Sequence, residues 1–99
     1  MGIGSTSLER EAESIFSDLG YTVTTDDGAL RAHRKWRVVE LTPMAKPDDP
    51  PESGSLRCFI TWEESVSGLE RRLTSADLDY EWAIIGVSDD DYVVSHEPT

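Results

Sequence analysis

Ninety-nine residues with 37% hydrophobic and 29% charged side chains approach the usual size of one domain, and the apolar content is too high for a disordered chain. One unit over residues 1–99 with its own core is expected. No run nears the roughly 18 apolar residues that span a bilayer, and twenty acidic against nine basic residues leave a net charge of −11 that repels polyanions.

The first element is a helix. Thr6 with Glu9 reads as a capping box, and Leu8, Ala12, Ile15, Phe16 and Leu19 form one apolar stripe. Gly20 suits the left-handed position that closes a helix, with Tyr21 folding back on the last turn. Tyr21 to Thr25 alternates and is β-branched, hence a strand. Asp26-Asp27-Gly28 is turn chemistry. The return run, Leu30 to Leu41, changes parity: Leu30, Ala32, Trp36 and Val38 share one face, and Val39 and Leu41 continue the apolar pattern on the other. A bulge or turn near Arg34–Arg37 accounts for the switch.

Residues 43–54 hold four of the five prolines and two adjacent acids, so an irregular, mobile surface loop is expected there. Leu56 to Thr61 reads as a buried strand. Thr61 with Glu64 repeats the capping-box pattern before a second helix whose stripe is Trp62, Val66, Leu69, Leu73 and Ala76; Asp77-Leu78-Asp79 ends it. Tyr80 to Val87 is apolar on both parities, as in a central strand. Asp89-Asp90-Asp91 turns the chain into a last strand, Tyr92 to Ser95. The expected fold is α+β: a single, mainly antiparallel sheet of about five strands, with both amphipathic helices on one face, in the order α-β-β-β-α-β-β. The uncovered face offers a surface on which a homodimer would form.

Charge and cysteine usage point to a compartment. Lys35 and Lys46 are the only lysines. In molar salt the Debye length falls to about 3 Å and the carboxylates keep the surface hydrated. An acidic, lysine-poor surface therefore reads as adaptation to a salt-rich cytoplasm. Mimicry of nucleic acid, or docking of a basic partner, is the alternative; the scatter of acids through every segment weighs against it. Cys58 has no partner for an internal disulfide, which fits a reducing cytoplasm. The first twenty residues lack a basic leader and a 7–15-residue apolar stretch, so a signal peptide is not expected.

The strongest constellation is basic and aromatic. Arg31, His33, Arg34, Lys35 and Arg37 interleave with Trp36, placing four of the nine cations within seven residues of an anionic chain. Cations beside an aromatic ring suit contact with phosphates and stacking of a base. The competing reading pairs these cations with surrounding carboxylates and buries Trp36. The remaining patterns have plain explanations. Leu-Gly-Tyr-Thr-Val followed by Arg37-Val38-Val39-Glu40 resembles the start of the restriction-endonuclease-like fold. That chemistry requires an Asp, a Glu and a lysine two residues beyond the Glu to work with Mg²⁺. Thr42 occupies the lysine's place, and Asp26 and Asp27 belong to a turn, so a degenerate fold of that type without activity is the version the residues allow. The acidic turns lack calcium-loop spacing. Cys58 reads as a buried structural thiol with Arg57 on the opposite face, and His33 and His96 have no metal-site spacing. No nucleophile elbow, P-loop or dinucleotide motif occurs; no metal or cofactor is expected.

Ile-Phe-Ser-Asp-Leu-Gly-Tyr-Thr-Val, Arg-Lys-Trp-Arg-Val-Val, Gly-Ser-Leu-Arg-Cys-Phe-Ile-Thr-Trp-Glu and Tyr-Glu-Trp-Ala-Ile-Ile-Gly-Val together resemble, over nearly the whole chain, a family of small uncharacterised acidic proteins of halophilic archaea. The resemblance implies a haloarchaeal cytoplasm and a compact α+β fold, and brings no activity or functional residue. The functional expectation is a small non-enzymatic interaction module acting through Arg31, His33, Arg34, Lys35 and Arg37. The module is expected to be a homodimer and its basic strand to meet an anionic or protein partner; nucleic acid is the alternative.

Overall fold

Helix α1 (Ile3–Asp18) buries Leu8, Ala12, Ile15 and Phe16, the stripe its 3.6-residue period dictates. The computed structural model describes residues 3–26, 29–46, 50–51, 54, 56–88 and 91–96, with backbone alone at 3–7, 26, 29 and 96. The helix begins at Ile3, so Thr6 lies inside its first turn and is not the residue that starts it. At the other end Gly20 takes φ +93°. The Tyr21 N–H then donates to the Phe16 carbonyl at 2.9 Å and the Gly20 N–H to Ser17 at 3.0 Å. This is the Schellman arrangement, completed by an edge-to-face contact of the Phe16 and Tyr21 rings at 5.3 Å.

Six strands follow in one sheet: β1 (Thr22–Asp26), β2 (Ala29–Arg34), β3 (Arg37–Pro43), β4 (Leu56–Trp62), β5 (Glu81–Val87) and β6 (Tyr92–His96), with helix α2 (Val66–Ala76) between β4 and β5. Their spatial order is their order in the chain. The β1–β2, β2–β3 and β5–β6 pairs are antiparallel, while β3–β4 and β4–β5 are parallel. The sheet is therefore mixed, with one strand more than expected. The extra strand arises because the run 30–41 folds into two strands. The parallel pairs arise because the proline-rich segment and then α2 return the chain to the end of the sheet where each preceding strand began.

The two helices do not share a face. Leu30, Ala32, Val39, Leu41, Cys58, Ile60, Ala83 and Ile85 pack with α1, whereas Phe59 and Ile84 pack with Val66, Leu69 and Leu73 of α2. Neighbouring residues of a strand point to opposite sides, so the sheet is sandwiched between the helices. β4 and β5 are buried on both sides, which explains their continuous apolar runs. Gly86 lets α2 approach closely: a Cβ there would meet Val66 Cγ2 at 2.6 Å.

The start of α2 also departs from expectation. β4 continues through Trp62, a 3₁₀ turn spans Glu63–Ser65, and Ser65 at the helix start makes no side-chain capping bond. Thr61 caps nothing; it is fully buried and its Oγ1 has no hydrogen-bond partner. Ala76, placed in the stripe by its spacing, is exposed. Asp77 ends the helix in the left-handed region at φ 52°. The segment after β3 is pinned at two points: the Met44 N–H donates to the Ile60 carbonyl at 2.8 Å, and the Tyr80 hydroxyl donates to the Pro51 carbonyl at 2.7 Å. No helix among the described residues is long and apolar enough to cross a membrane.

Candidate functional site

β2 and β3 are joined by a two-residue loop, Lys35-Trp36, with Arg34 and Arg37 paired at its base. Lys35 takes φ 56° and Trp36 does not share the positive φ, the pattern of a type II′ hairpin. Holding a lysine there costs roughly 1 kcal/mol that glycine would avoid. This turn reverses the parity of the run, so Val39 and Leu41 replace Trp36 and Val38 on the core side. Trp36, expected beside Leu30 and Ala32, is instead 92% exposed.

The cations around it are placed differently from one another. The Arg34 guanidinium lies 5.9 Å from the centre of the Tyr21 ring, and a Cβ on Gly20 would sit 3.8 Å from its Nε. It therefore stands over the carbonyl end of α1, where the helix dipole favours a positive charge. Among the described residues, Lys35 and Arg37 have no carboxylate within ion-pair distance. Arg31 and His33 do not join this group. They point to the α2 side of the sheet, where Arg31 has a partner of its own and His33 Nε2 lies 3.2 Å from Thr24 Oγ1, with donor and acceptor set by the tautomer. The basic strand thus divides into a tip (Arg34, Lys35, Trp36, Arg37) and two side chains engaged on the sheet.

An apolar groove of about 150 Å³ opens beside the tip. Phe16, Leu19, Val39, Leu56, Ile85 and Val94 contribute its walls, and Tyr21 and Arg37 border both the groove and the hollow under the hairpin. Leu19 is 44% and Val94 49% exposed along it, although the stripe of α1 places Leu19 in the core. Cys58 contributes to the same groove; burial holds its thiol un-ionised by raising its pKa to about 12. Sequence reading missed Tyr21 and the groove. The ring at 21 was legible as a helix stop and the start of a strand, and Val94 gains its place by pairing with Ile85 across β5 and β6, a neighbour that the residues of β6 alone do not reveal.

A second polar cluster lies on the α2 side. Arg57 Nη2 is 3.5 Å from Glu40 Oε2, its Nη1 donates to Thr42 Oγ1 at 3.3 Å, and its guanidinium is 5.6 Å from the centre of the Tyr80 ring. Burial raises the pKa of Tyr80, the positive charge of Arg57 opposes the rise, and Glu40 adds to it. Gly54 covers this group, since a Cβ there would meet Arg57 Nε at 2.7 Å and Glu40 Oε1 at 3.2 Å. The cluster ties the segment after β3 to the sheet, and Glu40 is committed to it. Among the described residues no three His, Cys, Asp or Glu side chains group closely enough to hold a metal. Asp27, Asp89 and Asp90 of the acidic turns lie outside the described residues; the Asp91 Oδ1 accepts from the Tyr92 N–H at 2.7 Å.

The fold and site define an acidic α+β protein with a mixed six-stranded sheet and a basic, aromatic hairpin tip. Residues 9–95 match the model of a family of unknown function, DUF7116, and the chain belongs to that family. No match is found among curated proteins or among solved structures.

Proposed function

We propose that the protein is a non-enzymatic interaction module whose docking element is the hairpin tip Arg34-Lys35-Trp36-Arg37. The observation that carries this reading is Trp36. An indole removes about 150–250 Å² from water when buried, yet here it stands in solvent at 92% exposure between cations that no described carboxylate neutralises. Fold stability gives no reason for that combination. Trp and Arg are the residue types that dominate the energetics of protein interfaces. The acid excess supports a working environment of high salt, in the cytoplasm of a halophilic archaeon. There screening shortens the reach of the tip's charge, and the indole carries most of the affinity.

Two variants, each tested for recovery of partners in molar KCl, decide the matter. Replacing Arg34, Lys35 and Arg37 by Ser, together with Trp36→Ser, abolishes recovery and leaves the chain folded, with only the small loss of stability that follows from removing Arg34 from Tyr21 and the end of α1. Arg31→Ser with His33→Ser retains recovery. The reverse pattern moves the site to the sheet face, and equal recovery by both variants ends the reading.

A further inference from the structure

The tip and the apolar groove are neighbours on one surface, sharing Tyr21 and Arg37 as common borders. One carries a projecting indole and the other a recess of about 150 Å³. An apolar cavity of roughly that volume accepts a benzene ring, hence the six-membered ring of an indole. A projection beside a recess that fits it is what an isologous interface needs, because a two-fold axis brings each projection to the partner's recess. Resting on the reading of the tip given above, we infer that the partner is a second copy of this chain, with each Trp36 seated in the other copy's groove.

Charge selects the same occupant. With the three tip cations set aside, twenty acidic side chains face six basic ones, so the rest of a second copy is strongly anionic. Two exposed acids stand near the groove. Asp18 precedes Leu19 at the end of α1, and Glu81 pairs across from Leu56 on the side of β5 that carries Ala83 and Ile85. The partner's Arg34 and Lys35 would meet these carboxylates as its indole enters. Arg37 borders the receiving groove and opposes an incoming cation, so the contact tightens as salt screens that repulsion. Two indoles supply roughly 400 Å² of the at least 1,000 Å² that a specific interface buries; the half-exposed Leu19 and Val94 and the polar rim supply the remainder, giving a weak, reversible dimer.

Sedimentation equilibrium over a concentration series in molar KCl tests this with Trp36→Ser, which removes the projection, and Leu19→Glu, which blocks the recess. Both positions are exposed enough to change without unfolding, as circular dichroism will verify. The wild type dimerises and each variant alone is weakened about thirtyfold or more. An equimolar mixture of the two associates more tightly than either alone, because one indole and one open groove remain. A wild type that stays monomeric throughout overturns the pairing, as does a mixture that gains nothing. If the monomeric wild type still loses a recovered partner on tip substitution, only the identity of the partner is overturned; if tip substitution changes nothing, the reading of the tip falls as well.

Discussion

Two buried residues show how unevenly single side chains reveal their roles. Thr61 reads as a helix cap by its spacing to Glu64, but β4 runs on past it and its hydroxyl is fully buried without a partner. A stranded polar atom costs about 1–3 kcal/mol, so Thr61→Val is expected to raise stability by about 1 kcal/mol in urea titration; a loss of stability would mean that the hydroxyl is satisfied. Cys58 reads correctly as a structural thiol opposite Arg57, and its pKa rises from 9.0 to about 12 on folding. Between those values the unfolded chain binds fewer protons than the folded one. Stability is therefore fully present below about pH 9 and falls as the pH climbs, by up to about 1.4 kcal/mol per pH unit. Urea midpoints of the wild type should decline more steeply above pH 9 than those of Cys58→Ala, and parallel curves would contradict a buried thiol.

At the scale of elements, legibility followed local chemistry. The end of α1 could be read because Gly20 and Tyr21 carry a closing motif that needs no tertiary partner. Both helices and the buried β5 could be read from their apolar periods. The start of α2 could not, since Thr61 and Trp62 are claimed by β4, and strand pairing outweighs a capping pattern. The Arg34–Arg37 turn was legible as a parity break, but the side on which Trp36 falls was not, because Trp36 belongs to the loop and follows neither strand's alternation. The positive φ at Lys35 leads to a prediction about the hairpin. Lys35→Gly with Trp36→Asn suits a type II′ loop better and should preserve or raise the free energy of unfolding, by about 1 kcal/mol at most, while removing association. A marked loss of stability would show that the wild-type tip serves the fold.

At the scale of the molecule, composition and period fixed α+β but not the layering. An amphipathic helix declares that it has a buried face, not which side of a sheet receives it, and the two-sided burial of β4 and β5 is the only trace of the second layer. The parallel β3–β4 pair depends on how the chain returns between Pro43 and Leu56, where prolines mark a connection without its direction. The candidate site was half legible: four cations and a tryptophan stood out, yet only the folded hairpin separates the tip from Arg31 and His33.

Acrylamide quenching of Trp36 fluorescence, in a Trp62→Phe, Trp82→Phe background in molar KCl, tests most directly whether this indole is a free docking group. In dilute protein it should be quenched like an indole in water, and it should become shielded as the protein concentration rises. An indole shielded even at high dilution would place Trp36 in its own core, and one equally open at every concentration would leave it without the partner assigned here.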